Sequence, residues 1–181
     1  MPPTNLPRRD HAALAIIDVQ ARLVPAMAEF GPALVNIRRL ARGARALAMP
    51  VVVTEQYPRG LGPTVPSVAR LVPGPYPAKT AFSCFGCEPF AQAVADRDDL
   101  ILCGIETHVC VLQTALDGLA LGRRVFVAAD AVTSRSLTNR DAALATMAAA
   151  GVVVAPTESL LFGLLGAAGS PEFKVISRLV K

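Results

Sequence analysis

Short apolar runs punctuate this chain, and stretches of helical spacing fill most of the gaps between them. Residues 12–17, 51–54, 100–103, 125–129 and 152–154 are rich in valine, isoleucine, leucine and alanine. Such continuous runs suit strands buried on both faces. Residues 77–82 read as a further short strand with its turn. Between them, Leu34, Ile37, Leu40, Ala44 and Leu47 recur at three- and four-residue steps until Pro50, which makes one face of a helix. Residues 88–95 form a second helix, and Val109, Leu112, Leu116 and Leu119 stripe a third that stops at Gly122. Asn139 is placed to cap a helix that Gly151 ends, and Thr157 a short one containing Leu160, Leu161 and Leu164. Ser170, Pro171 and Glu172 mark the start of the last helix.

Strands that alternate with helices predict a three-layer α/β/α domain with a central, mostly parallel six-stranded sheet of Rossmann-like form. At 181 residues the whole chain, 1–181, reads as a single domain. Residues 55–77 carry so many prolines that no regular element is expected there, and a loop that long reads as a lid or a subunit contact.

In open parallel sheets, ligands bind beyond the carboxyl ends of the strands, where the strand order reverses. Asp18, Lys79 and residues 106–110 fall at such ends. Cys110 lies in the first turn of a helix that follows the strand at 100–103. Unpaired amides and roughly half a positive charge gather there, favouring a thiolate and able to receive an oxyanion. A nearby ammonium would add to that effect, so the thiol is expected to titrate below its free value near 8.5. Each residue alone has a plainer structural reading. A cysteine in an apolar helix is ordinary core packing, which also accounts for Cys103. Asp18 would serve as a turn cap, Lys79 as a surface lysine, and Asp130 with residues 134–136 as a binder of backbone groups at a turn.

Composition removes several function classes. Hydrophobic residues make up 52% of the chain and charged residues 18%, so a well-buried globular protein is expected rather than a disordered one. No apolar run reaches the ~18–20 residues that span a bilayer, so no membrane partner is expected. Residues 1–10 hold prolines and charges without the apolar core of a signal peptide, which points to the cytoplasm. The net charge is +4, but the arginines are scattered, so no nucleic-acid partner is expected. Cys84 and Cys87 have the spacing of half a zinc site, yet no second pair exists and the histidines are only His11 and His108.

The segments Ile16-Ile17-Asp18-Val19-Gln20, Ala78-Lys79-Thr80-Ala81-Phe82 and Gly104-Ile105-Glu106-Thr107-His108-Val109-Cys110-Val111 together resemble those of the isochorismatase-like cysteine hydrolases. The likeness covers nearly the whole chain. Residues 54–62, 130–136 and 171–174 are similar to the subgroup of isochorismatase domain-containing proteins. The resemblance implies that Asp18 is the acid/base, Lys79 the orienting cation and Cys110 the nucleophile. It also implies a cis peptide between Ile105 and Glu106 that aims the Glu106 and Cys110 amides into an oxyanion hole. Gln20, Tyr57, Phe82, Ile105, Thr107 and His108 become the candidate substrate contacts, and a homo-oligomer, dimer or tetramer, is expected. The loop at 55–77 and the apolar helix after Thr157 are the interface candidates.

Two departures narrow the chemistry. Nicotinamidases of the family carry an Asp-x-His metal site with further histidines after the second strand, where this chain has Thr54-Glu55-Gln56-Tyr57-Pro58. No metal or other cofactor is therefore expected. True isochorismatases cleave a vinyl ether without a cysteine, so Cys110 favours acyl transfer. The expectation is a metal-independent cysteine hydrolase of a small amide, ureide or ester, working through a thioester. The alternative is a catalytically silent binding or scaffolding module on the same fold.

Overall fold

A computed structural model describes residues 5–181. The strands are β1 (Ala12–Ile17), β2 (Val51–Gln56), β3 (Ala78–Lys79), β4 (Asp99–Ile105), β5 (Arg124–Thr133) and β6 (Val153–Ala155). The helices are α1 (Phe30–Ala46), α2 (Pro58–Leu61), α3 (Pro66–Ala69), α4 (Glu88–Ala93), α5 (Leu112–Ala120), α6 (Leu137–Ala149), α7 (Thr157–Leu165) and α8 (Pro171–Val180). One six-stranded sheet runs in the order β3-β2-β1-β4-β5-β6, and every neighbouring pair is parallel. The chain builds outward from β1 to β3, then returns to lay β4 on the other side of β1. Strand order therefore reverses between β1 and β4.

The pleat of β1 divides the core in two. Ala12, Leu14 and Ile16 pack with Ile37, Leu40, Leu160 and Ile176, so α1, α7 and α8 cover that face. Ala13, Ala15 and Ile17 pack with Phe90, Val111, Ala115 and Met147, so α4, α5 and α6 cover the other. All of β1 and β4 is buried, which is why neither run alternates with polar residues.

Several boundaries differ from the sequence reading. Residues 55–77 contain α2 and α3, each opening on a proline. Proline breaks helix interiors but suits the first helical position, so this density starts single turns while forbidding long ones. β4 does not stop at Gly104 but continues to Ile105. Gly104 has φ 116°, and a Cβ there would stand 2.2 Å from the Ile17 carbonyl oxygen, so only glycine lets β4 lie this close to the end of β1. β5 runs past Asp130, which lies in a bulge where the register against β4 shifts. Asn139 sits within α6, whose flanking residue is Ser136. Thr157 is the first residue of α7, and both its N–H and its hydroxyl donate to Asp130 Oδ1 at 2.7 Å. The cap of α7 thus comes from the bulge in β5. Ser170 does cap α8, its hydroxyl accepting from Phe173 N–H at 3.2 Å.

Leu160, Leu161 and Leu164 are buried against α1 and α8, so this part of α7 is core and not a free apolar face for a second subunit. No helix among the described residues is long and apolar enough to cross a membrane. Met1–Thr4, part of the N-terminal segment read above, lie outside the described residues.

Candidate active site

Asp18 follows directly on β1, with φ 52° in the left-handed region that aspartate tolerates better than most residues. The turn is stabilised by its own backbone, since Asp18 N–H reaches Thr54 O at 3.2 Å and Gln20 N–H donates to Asp18 O at 2.8 Å. The side chain is thereby aimed under the sheet end, where it is fully buried. Thr54, at the neighbouring position on β2, donates its hydroxyl to Asp18 Oδ1 at 2.8 Å.

Lys79 comes from the edge strand β3 and reaches inward to Asp18 Oδ2 at 2.7 Å. Its ammonium also donates to Gln56 Oε1 at 2.7 Å, to Phe82 O at 3.0 Å and to Ala81 O at 3.3 Å. Burial works to lower the Lys79 pKa, but the charge of the Asp18 carboxylate and its hydrogen bond oppose this, and the value stays above the ordinary one. The lysine therefore stays charged, and the pair is a buried salt bridge with both side chains closed to solvent.

Cys110 sits in a π-helical turn, Thr107–Val111, between β4 and α5. The Ile105–Glu106 peptide that leads into it is cis. Thr114 fixes the turn from the next one: its hydroxyl donates to Cys110 O at 2.7 Å and accepts from Cys84 N–H at 2.9 Å. The Cys110 sulfur does not have the lowered pKa expected from a helix terminus and an ammonium. Burial pushes the thiol well up, the Asp18 charge pushes it further, and Lys79 opposes them without winning. Burial and the Asp18 charge thus favour the protonated form of the sulfur. Cys84, fully buried nearby, is pushed up to about 11 by burial and by Asp18.

Cys110 opens onto a cavity of about 110 Å³ that Leu23, Gln56, Leu61, Phe82, Ile105, Glu106 and Val109 also line. At ~30 Å³ per water in the liquid, that is room for a carbonyl group and its immediate substituents. Asp18 and Lys79, both with side chains closed to solvent, are not among the residues that line it. Glu106 and Cys110, the two expected amide donors, belong to the same wall.

The candidate contacts separate. Phe82 and Ile105 line the cavity. Gln20 is fully buried, with Oε1 accepting from Gln56 N–H at 2.8 Å and Nε2 donating to Gln56 O and Gly62 O, so it braces the wall from behind. Tyr57 lines a neighbouring cavity of about 400 Å³ with Arg59, Thr80 and Cys87. Thr107 is buried, its hydroxyl without a partner among the described residues. His108 turns to Ser134, sharing a 3.0 Å hydrogen bond between Nδ1 and Oγ.

Residues 12–159 match the isochorismatase domain. The chain belongs to the isochorismatase family. Isochorismatase domain-containing protein 1 of Salmo salar is 44% identical over 171 residues, which cover 91% of this chain and 59% of that protein. The chain thus spans about three fifths of that relative's length. The structure titled MAR1 ribonuclease from Caenorhabditis elegans superposes with a TM-score of 0.91 at 38% identity, covering 97% of this chain and 92% of that one. The YcaC gene product of Escherichia coli, described as an octameric hydrolase of unknown specificity, gives a TM-score of 0.90 at 25% identity, covering 99% of this chain and 92% of that one.

Around this candidate site, the sequence reading gave Thr54, Gln56 and Arg135 no part in the site. Thr54 and Gln56 extend a buried strand with polar residues at its carboxyl end, a signal that marks this rim. Arg135 binds the Glu106 carboxylate through its backbone N–H at 3.0 Å and its Nε at 3.1 Å. Nothing local to residues 134–136 announces that pairing.

Proposed function

We propose that this protein is a metal-independent cysteine hydrolase acting on a small amide, ureide or ester. The reading rests on one observation: the buried Asp18–Lys79 pair stands beside a thiol that favours its protonated form and borders a cavity of carbonyl size. As the sulfur attacks the carbonyl carbon, Asp18 takes the thiol proton, and the oxyanion gathers at the Glu106 and Cys110 amides. Collapse of the adduct breaks the bond to the leaving group, which departs with the proton from Asp18 and leaves a thioester. Asp18 then deprotonates a water that attacks the thioester, and the released thiolate recovers that proton. Lys79 remains an ammonium throughout and keeps the carboxylate aimed at the sulfur. Gln56 and Gln20 position Lys79 and the wall.

Intact-mass spectrometry after exposure to a panel of amides, ureides and activated esters tests this. An acyl adduct in the wild type that is missing from Cys110→Ala is expected. No adduct and no turnover across the panel would leave the silent binding module as the better account.

Similarity to the structure titled a ribonuclease raises RNA cleavage as a competing reading. The cavity at Cys110 is below the ~300–1,000 Å³ usual for drug-sized ligands, which favours a smaller substrate. RNA binding would show a steep salt dependence, and a flat response is expected. Likeness to the octameric YcaC protein supports a homo-oligomer, which sedimentation would size.

A further inference from the structure

Three of the four free thiols take no part in the chemistry above, and two of them, Cys84 and Cys87, share one turn. It is a single 3₁₀ turn, Cys84–Gly86, closed by Cys87 N–H donating to Cys84 O at 3.0 Å. Such a closure holds the first and fourth Cα atoms within ~7 Å, close to the ~4.4–6.8 Å that a disulfide spans. The two sulfurs meet one corner of the sheet. Cys84 Sγ lies 3.7 Å from Thr54 Oγ1 on β2, and Cys87 Sγ lies 3.6 Å from Ala78 O on β3. Ala78 is paired with Glu55, the residue after Thr54. Among the described residues no group of three or more His, Cys, Asp or Glu could hold a metal, so this pair gains no zinc partners.

The two thiols differ in access. Cys84 is closed to solvent, whereas Cys87 lines the cavity of about 400 Å³ beside Tyr57, Arg59 and Thr80. That volume falls in the ~300–1,000 Å³ range of small-molecule sites. We infer that Cys84 and Cys87 are a redox dithiol, closed to a disulfide by a low-molecular-weight disulfide of the glutathione class, and that closure restrains the Cys110 site. The Cys87 thiolate attacks one sulfur of the small disulfide, breaks its S–S bond and releases one thiolate. The Cys84 thiolate then attacks Cys87 Sγ in the mixed disulfide and releases the second. The protons of Cys84 and Cys87 end on the two released thiols, so the protein is oxidised by two electrons and the reagent reduced by two. Burial of Cys84 makes the second attack the slow one.

The turn is coupled to Lys79 by contact. A Cβ at Gly86 would stand 2.5 Å from the Ala81 Cβ, so the turn presses on Ala81. Ala81 O and Phe82 O accept from the Lys79 ammonium, and Phe82 also lines the Cys110 cavity. Drawing the two sulfurs together pulls Cys84 away from Thr54 and shifts the turn against those carbonyls. Lys79 is the charge that opposes burial and Asp18 at the Cys110 thiol, so loosening its hold leaves less thiolate.

Oxidised glutathione is the probe. Wild-type protein is equilibrated with it, alkylated in denaturant and cut with trypsin, which leaves Cys84 and Cys87 on residues 80–97 and Cys103 and Cys110 on residues 98–123. Residues 80–97 are expected to lose two hydrogens and resist alkylation, and dithiothreitol to restore both thiols. Cys84→Ser is expected to collect glutathione on Cys87, and Cys87→Ser to leave Cys84 unmodified. On the folded, oxidised wild type, iodoacetamide is expected to label Cys110 several-fold more slowly, while the same exposure leaves labelling in Cys87→Ser unchanged. Two free thiols on residues 80–97, a bridge from that peptide to residues 98–123, or Cys110 labelling that ignores closure of the pair would overturn the inference. These readouts are thiol chemistry, so a Cys110 inert to acyl donors would sink the hydrolase reading and leave the dithiol standing.

Discussion

Lys79 Nζ lies 2.7 Å from Asp18 Oδ2 in a place where neither side chain meets solvent, although 61 residues separate them in the chain. Removing one partner would strand the other charge in the interior, at a cost of ~3–5 kcal/mol. Lys79→Met is therefore expected to lower stability by about that amount, read as a shift of the urea midpoint, and to abolish turnover. The double variant Asp18→Asn, Lys79→Met is expected to regain part of the stability and none of the activity.

Asp18→Asn alone separates catalysis from thiol acidity. Loss of the general base is expected to reduce turnover by ~10²–10⁴-fold. The same change takes away a negative charge that keeps the Cys110 proton in place, so the thiol pKa falls. Alkylation by iodoacetamide near about pH 8 should then become faster than in the wild type, because the thiolate is the reacting form. Slower alkylation would contradict the electrostatics described.

The wild-type pH profile follows from the same balance. A free thiol titrates at ~8.5. Burial and Asp18 hold Cys110 above that value, so its alkylation rate should still be climbing beyond about pH 9 instead of levelling there. Cys84, pushed up to about 11 and fully buried, is expected to stay unlabelled.

Gly104→Ala tests the closeness of β1 and β4. The added Cβ would meet Ile17 O at 2.2 Å, with the backbone at a φ that side chains resist. A loss on the order of 3 kcal/mol or more is expected in denaturant unfolding. Activity should fall with it, since the two strand ends carry Asp18 and the Cys110 turn.

Acid stability should depend on Asp99, far from the site. Burial raises its carboxyl, but hydrogen bonds from Arg124 and Arg8 outweigh burial and hold it below the ordinary value. The folded pKa is thus depressed. Its stabilisation is present above the unfolded value near ~3.9 and is lost as pH falls through the folded one. Asp99→Asn is expected to be less stable at neutral pH and to lose less stability between about pH 4 and pH 2, measured by thermal melts.

The parallel sheet was legible because burial on both faces leaves a mark in each strand by itself, as in residues 12–17 and 100–103. Asp18 and Cys110 were legible for a related reason, since each lies just past an apolar run. The helices hidden in residues 55–77 were missed because proline carries two local meanings, and chain context chooses between breaking a helix and opening one. Arg135 was missed because its partner Glu106 lies 29 residues away on another strand end.

By its own spacing of apolar residues the sequence determined that strands would alternate with helices, and hence that polar residues after the strands would gather at one end of a sheet. Those are properties of neighbouring residues along one segment. Only the tertiary structure decided that the protonated form of Cys110 is favoured, that Gln20 braces the wall instead of lining it, and that Thr54, Gln56 and Arg135 join the site. Burial, hydrogen-bond partners and the sum of nearby charges arise where distant segments meet, and no window of sequence contains them.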